Sequence, residues 1–93
     1  MTNIVDYIPW IVILVPCNLI YMEEEFKNLL GNLSKNVRAR RTEIGLSQER
    51  LALEAEVDRT YVSQIERGIG NPSLWVLYKL AIILKTTVPA LLK

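Results

Sequence analysis

Apolar residues recur at intervals of three and four through most of the chain after residue 22, and this spacing predicts helices rather than strands. Two of these helices are short. The first follows Ser47 and the second follows Asp58, and both residue types accept hydrogen bonds from the backbone at a helix start. Gly68 can close the second helix. Only a tight turn around Glu56 and Val57 fits between the two helices, so they are expected to pack against each other.

The second short helix has one apolar side and one polar side. Val62 and Ile65 share a face at helical spacing, which predicts their burial. The other side carries forked donors and small hydroxyls, on Arg59, Thr60, Ser63, Gln64 and Arg67. Such a surface suits the major groove of DNA, although a solvated surface without a partner has the same composition. The preceding helix favours DNA, because Leu51, Ala52 and Ala55 complete the pattern of a helix-turn-helix.

Several runs of this sequence resemble a known family of DNA-binding domains. Residues 45–49, 51–52, 58–68 and 71–74 are similar to the lambda-repressor and Cro-like (Xre) domains. The order Asp58, Arg59, Thr60, Tyr61 is most similar to the controller proteins of restriction-modification systems, small dimeric regulators that bind the promoter of their own operon. The resemblance covers about residues 33–92. It implies an all-α, five-helix domain that binds a palindromic DNA site as a homodimer, represses or activates transcription, and has RNA polymerase as a further candidate partner.

Pattern and resemblance together identify the residues expected to contact DNA: Lys35, Arg38, Gln48, Arg59, Thr60, Tyr61, Ser63, Gln64, Arg67 and Asn71. Gln48 is expected to hold a phosphate, with Arg38 or Lys35 in support. The residues expected to face base edges are Arg59, Thr60, Ser63 and Gln64. Tyr61 would contact the backbone or a thymine methyl group, Arg67 would contact backbone or base, and Asn71 is available to a phosphate. Gly70 stands where the resemblance implies a basic residue, so one phosphate contact is expected to be missing.

The C-terminal part is expected to supply two more helices and the contact with a second copy. Ser73 and Thr87 can cap these helices. A small domain cannot easily bury every large apolar side chain that follows, and exposed apolar patches tend to mark contact sites. The residues expected at the homodimer interface are Trp75, Tyr78, Val88, Leu91 and Leu92, with residues 11–15 as an extension of it.

The helix before the helix-turn-helix is expected to begin at Glu23, where three successive acids complement the helix dipole. Gly31 and Ser34 either interrupt this helix or only weaken it. The resemblance implies that Arg41 pairs with Glu66 and fixes the second short helix against this one. Two unrelated surface charges are the alternative interpretation.

Two positions depart from the family. Arg40 stands where the resemblance implies an apolar residue, so it is expected either to reach solvent along its stem or to add to the basic surface. Glu56 occupies a turn position where the resemblance implies Gly or Asn. A left-handed backbone there costs on the order of 1 kcal/mol for Glu relative to Gly, which the turn should survive.

Residues 1–22 form an apolar extension to a domain of residues 23–93. Residues 11–15 favour a strand by their β-branched content, and a lone strand needs a partner. The extension packs on the domain or across a dimer, or it is a mobile tail, or it contacts a membrane through residues 8–20. It is too short to span a bilayer and lacks the basic start of a signal peptide, so membrane association and export are not expected. Translation starting at Met22 is a further interpretation.

Composition narrows the function. The 93 residues carry a formal net charge of +1, but Lys35, Arg38, Arg40 and Arg41 form a local basic cluster. With no histidine and the single Cys17, the sequence offers no zinc site, no disulfide and no catalytic histidine, and it predicts no metal and no cofactor. It contains no Gly-rich phosphate loop, so an enzyme is not expected. Because it offers no disulfide, a protein of the reducing cytoplasm is expected. The alternative function is an antitoxin or phage-type repressor whose extension binds a protein partner or a membrane.

Overall fold

The structure of the protein, a computed structural model, describes the backbone of residues 9–93 and the side chains of residues 21–93. Within this part the chain forms five helices: α1 (Pro9–Ile44), α2 (Gln48–Ala55), α3 (Arg59–Glu66), α4 (Leu74–Ile83) and α5 (Val88–Leu92). No strand occurs in the described backbone. The prediction of a five-helix, all-α fold is therefore confirmed.

Local sequence signals set the helix boundaries. Helices α2 to α5 each begin at an N-cap whose side chain accepts a backbone N–H, and these residues are Ser47, Asp58, Ser73 and Thr87. Glu56 ends α2 in the left-handed conformation, with φ 57° and ψ 46°, so it adopts the conformation that costs Glu more than Gly. Gly68 follows α3 with φ 73°, a conformation that glycine adopts without the steric cost of a Cβ.

One apolar core joins all five helices. α1 packs against α3 and α5, and α2 packs against α3 and α4. The predicted inward positions Leu51, Val62 and Ile65 are buried. The remaining core residues are Leu33, Val37, Ala52, Ala55, Val76, Leu77, Leu80, Ala81, Leu84 and Leu91. Burying these side chains against one another holds α3 firmly, so its other side is free to contact a partner.

Helix α1 differs from the expectations. It contains 36 residues, and it includes residues 11–15, so the predicted strand is wrong. A lone strand leaves its backbone N–H and C=O groups unpaired, whereas a helix pairs them within the segment, and the packed half of α1 offers a ready nucleus for extension. Glu23 therefore lies inside the helix rather than at its start, and neither Gly31 nor Ser34 interrupts it.

The proposed division at residue 22 coincides with no break in secondary structure, and the division into extension and domain stays a prediction. The interpretations that rest on side chains of residues 1–20 lie outside the described residues. At the usual rise of about 1.5 Å per residue α1 is about 54 Å long, so it accounts for most of the 58 Å long axis of the described chain.

Arg40 follows neither of the two expectations. Its Nε donates to the carbonyl oxygen of Leu84 at 2.8 Å and its Nη2 to that of Lys85 at 3.3 Å, at the end of α4. Its Nη1 lies 3.0 Å from the Oε1 of Glu43. The last carbonyls of a helix lack partners and carry partial negative charge, which attracts a guanidinium. Arg40 thus ties the first helix to the corner between α4 and α5.

Candidate nucleic-acid interface

Helix α3 presents a polar surface opposite its buried side. Val62 and Ile65 face the core, while Arg59, Thr60, Ser63 and Arg67 together line an open hollow of about 270 Å³. These four positions share one side of the helix because side chains three or four residues apart lie one above the other. We call them the α3 front surface. The hollow combines two guanidinium groups with two hydroxyls, which are the groups that read base edges and phosphates.

Gln64, Tyr61 and Asn71 lie outside this hollow. A Cβ placed at Gly70 would come within 3.4 Å of the Gln64 Oε1, so the Gln64 side chain lies against the loop after α3. Tyr61 is exposed near the start of the helix. Asn71 is exposed as well and borders a different hollow, between α1 and the start of α4. Of the expected base-reading residues, Arg59, Thr60 and Ser63 are brought together, and Gln64 lies on their flank.

The predicted ion pair of Arg41 and Glu66 is present, and it is bidentate. The Arg41 Nε lies 2.6 Å from the Glu66 Oε2, and the Arg41 Nη2 lies 2.9 Å from the Oε1. The Arg41 Nη1 also donates to the carbonyl oxygen of Leu46 at 2.8 Å. The Glu66 side chain is fully buried. Removing one partner would leave the other charged group without compensation inside the protein.

Glu66 has more partners than the sequence led us to expect. Its Oε1 also accepts from the Gln48 Nε2 at 3.0 Å and from the Arg38 Nε at 3.3 Å, and its backbone carbonyl accepts from the Ser34 Oγ at 2.6 Å. The burial of Glu66, and its need for several donors, could have been predicted from the sequence. Glu66 directly follows Ile65 and lies four residues after Val62, so it faces the core side, and a buried carboxylate requires several donors.

The hydrogen bonds decide the charge state of Glu66. Burial alone would raise the pKa of this carboxyl group, but the hydrogen bonds from Arg41, Gln48 and Arg38 prevail and hold the Glu66 pKa below its ordinary value. The hydrogen bond to Glu66 raises the pKa of Arg41, against the opposing effect of its burial. Both groups are therefore charged across the neutral pH range.

Glu66 also brings two of the expected phosphate-binding residues to one place. Gln48 uses one amide N–H on Glu66 and lies at the start of α2, where backbone N–H groups have no helical partner. Arg38 uses its Nε on Glu66 but keeps 58 % of its side chain exposed. Lys35 is exposed one turn earlier on α1. Donors from α1 and α2 thus lie beside α3, as a phosphate-binding margin requires.

A second exposed surface lies on α4 and is apolar. Leu74, Trp75 and Tyr78 are 72 %, 63 % and 50 % exposed, and with Val88 they line an open hollow of about 410 Å³. Ile82 continues the same side of the helix and is also exposed. We call Leu74, Trp75, Tyr78 and Ile82 the α4 surface. The sequence prediction named Trp75, Tyr78 and Val88, but it missed Leu74 and Ile82.

Leu91 was wrongly expected at a dimer interface. It is 2 % exposed because it packs into the core of its own chain, so it offers no surface to a second copy. Leu92 is half-buried and borders the hollow beside α1 rather than the one beside α4. The short helix α5 therefore turns Val88 toward the α4 surface and its last residues toward the core and α1.

No cluster of His, Cys, Asp and Glu side chains suited to a metal ion occurs among the described residues. Within the same part of the chain, no helix has the combination of length and apolar character needed to cross a membrane.

Comparisons with known proteins agree with this geometry. A family model described as helix-turn-helix matches residues 37–91. The control protein C.SmaI of Serratia marcescens is 42% identical over 67 residues, which are 72% of this chain and 80% of that protein. The crystal structure of the restriction-modification controller protein C.AhdI from Aeromonas hydrophila is 42% identical, with a TM-score of 0.63, covering 67% of this chain and 94% of that chain. The N-terminal DNA-binding domain of SinR from Bacillus subtilis is 35% identical, with a TM-score of 0.63, covering 66% of this chain and 90% of that chain.

Proposed function

This chain belongs to the helix-turn-helix family of DNA-binding transcriptional regulators, and on that premise we propose that it is the controller protein of a restriction-modification system. It is a regulator and not an enzyme, as membership of this family implies. It acts in the cytoplasm by occupying the promoter of its own operon. Occupancy blocks RNA polymerase or, at a suitably placed site, recruits it.

The α3 front surface is the observation that supports DNA reading most directly. Arg59, Thr60, Ser63 and Arg67 line one hollow on the exposed side of a helix whose other side is fixed in the core. In the major groove the Arg59 guanidinium is able to donate two parallel hydrogen bonds to a guanine edge, and the hydroxyls serve either donors or acceptors. Gln64 and Tyr61 contact the edge of the same site.

Phosphate contacts orient this helix in the groove. Gln48, with Arg38 and Lys35, provides donors at the margin of the α3 front surface, and Asn71 provides one on the other side of the loop after α3. Because Glu66 holds Gln48 and Arg38 by hydrogen bonds, their position relative to α3 is set before DNA arrives. This arrangement reduces the ordering cost of binding.

The protein acts as a homodimer on an inverted repeat. One helix reads only a few base pairs, which is too little discrimination for a genome. Two copies related by a two-fold axis place their α3 helices about 34 Å apart, so half-site centres are about ten base pairs apart. The α4 surface, with Val88, is the apolar area that a second copy would cover.

The proposal is tested by titrating the full chain with a fluorescently labelled duplex at several salt concentrations. Affinity should fall by roughly 100-fold or more between about 50 and 200 mM salt, because phosphate contacts release counterions. Glu49→Gln is the matched control, since this exposed acid lies outside the proposed contacts. A flat salt response, or affinity no better for the selected duplex than for random DNA, would rule out the function.

A further inference from the structure

The middle of α1 carries an apolar stripe that the described part of the same chain leaves partly uncovered. Met22, Phe26, Leu29 and Leu33 follow one another at spacings of four, three and four, which places them on one side of the helix. Leu33 is buried in the core, whereas Met22, Phe26 and Leu29 are 62 %, 43 % and 43 % exposed. We call these last three residues the α1 stripe.

Within the described residues, the rest of the same chain covers the α1 stripe only in part. Helix α1 continues without a break from Pro9 to Ile44, so its first half extends away from the domain rather than folding back over it. Two of the three stripe residues, Phe26 and Leu29, border a hollow of about 180 Å³ that Pro72 and Leu92 also line, and each is still 43 % exposed. Exposed apolar stripes of this kind mark contact surfaces.

The α4 surface is apolar at helical spacing, like the α1 stripe, and lysines flank it. Leu74, Trp75, Tyr78 and Ile82 form an apolar stripe at helical spacing, so two helices are able to pack ridge into groove. Helix α4 and the corner after it carry Lys79 and Lys85 and no acidic residue, while Glu54 of α2 and Glu56 at its end line a hollow with Lys79 at the Ile82 end of this surface. The Lys79 Nζ lies 5.4 Å from the centre of the Trp75 ring, at the edge of this apolar area.

The charge beside the α1 stripe has the opposite sign. Glu23, Glu24 and Glu25 are consecutive and exposed, with Lys27 as the nearest basic residue in sequence. Pairing two α1 stripes in parallel would place these acids beside one another, and like charges across an interface are unfavourable. Packing the stripe on α4 instead places acids beside lysines. The charges therefore favour a second copy that offers its α4 rather than its α1.

We propose that in the homodimer the α1 stripe of one copy packs on the α4 surface of the other, and that the two-fold axis repeats this contact. The inference rests on the proposed function, because it requires a homodimer. It explains why α4 exposes large aromatic side chains and why α1 extends beyond the domain. The middle of α1 then serves to stabilise the dimer that DNA recognition requires.

A charge-exchange experiment tests this contact. The full chain is compared with three variants: Glu23→Lys with Glu24→Lys and Glu25→Lys; Lys79→Glu with Lys85→Glu; and the combination of both sets. Sedimentation equilibrium without DNA at low salt gives the dimer Kd. Each set alone should raise the Kd by about tenfold, because it creates like-charge contacts, and the combination should return it to within about threefold of the parent.

Controls separate this contact from other effects. Glu43→Lys with Glu49→Lys changes the net charge in the same direction at exposed positions outside both surfaces, and it should leave the Kd nearly unchanged. Circular dichroism checks that every variant keeps its helices. A combination that is as weak as the two sets added together, or a first set without effect, would overturn the inference.

The outcome also distinguishes this inference from the proposed function. If Trp75→Glu weakens the dimer while the Glu23 to Glu25 set does not, the α4 surface is an interface but the α1 stripe is not its partner. The proposed function would then stand and the inference would fail. If the parent chain is monomeric at every concentration and on DNA, both the homodimer and the inference fail.

Discussion

Helices α3 and α4 are built alike on their inner sides and differently on their outer sides. Val62 of α3 and Leu80 of α4 are both fully buried in the same core. The outer side of α3 carries guanidinium groups and hydroxyls, whereas that of α4 carries Leu74, Trp75 and Tyr78. The core demands apolar side chains from both helices, so only the outer residues differ, and our proposal that α3 contacts DNA and α4 contacts a second copy rests on them.

This comparison implies that substitutions separate into three kinds. A substitution of a core residue on the inner side of α3 or α4 should remove both the α3 front surface and the α4 surface, because the core positions both helices. A change on the outer side of α4 should remove self-association and leave the domain folded. A change on the outer side of α3 should remove base discrimination and leave the dimer intact.

The largest effect is expected from Val62→Asp. The side chain is fully buried, so an unpaired carboxylate there should cost more than about 4 kcal/mol and unfold the domain. Circular dichroism should show loss of helix, and titration with labelled duplex should show loss of DNA binding. Thr60→Asp, on the exposed side of the same helix, is the control and should keep its helices. Retained helicity and an unchanged Tm in Val62→Asp would mean that α3 is turned the wrong way round.

The next effect concerns Glu66, which connects the core to the DNA surface. Glu66→Ala leaves the largely buried Arg41 without its partner and should destabilise the domain by about 3–5 kcal/mol. Urea unfolding followed by circular dichroism measures this loss. Glu54→Ala removes an exposed ion pair with Arg50 and should cost less than about 1 kcal/mol. Equal losses in the two variants would contradict the role of burial.

The pKa of Glu66 predicts how the same contribution depends on pH. Folding lowers this pKa below its ordinary value of 4.5, so the folded state holds the charged form more strongly than the unfolded state does. The stabilisation is fully present above about pH 4.5 and is lost as the pH falls below that value toward the lower pKa of the folded state. Glu66→Gln should flatten this acid limb of the free energy of unfolding, and a slope equal to the parent's would contradict the assignment.

Features set by neighbouring residues were predictable from the sequence. Ser47, Asp58, Ser73 and Thr87 announce helix starts because their side chains bond backbone groups two or three residues away. The inward direction of Val62 and Ile65 follows from helical spacing alone. The pair of Arg41 and Glu66 came from family resemblance, and nothing in the spacing required it.

Features set by distant parts of the chain were missed. Arg40 caps α4 from forty-four residues away, at the carbonyl of Leu84, and no local pattern predicts that contact. Leu91 is as apolar as Leu92, and only the packing of α5 against α1 decides which of them is buried. The strand expected at residues 11–15 failed for a related reason, since β propensity depends on a partner strand.

Trp75→Glu combined with Tyr78→Glu tests whether the α4 surface mediates self-association. Both side chains are exposed and their rings are stacked at 5.9 Å, so the variant should fold normally. It should raise the dimer Kd by roughly 100-fold, because large aromatic side chains dominate interface energies. Sedimentation gives the association constant, with Leu53→Glu as an exposed apolar control on α2. A variant as dimeric as the parent would remove the α4 surface from the interface.

The sequence discrimination of Arg59→Ala tests whether the α3 front surface reads base sequence. Fluorescence anisotropy gives the Kd for the selected inverted repeat and for a shuffled duplex of the same composition. Arg59→Ala should lose about 1–3 kcal/mol on the selected duplex only, so the ratio of the two Kd values falls by about five- to 150-fold. Lys35→Ala, which removes a proposed phosphate contact, should weaken both duplexes equally. If Arg59→Ala keeps the parent's ratio of Kd values, the α3 front surface does not discriminate DNA sequence.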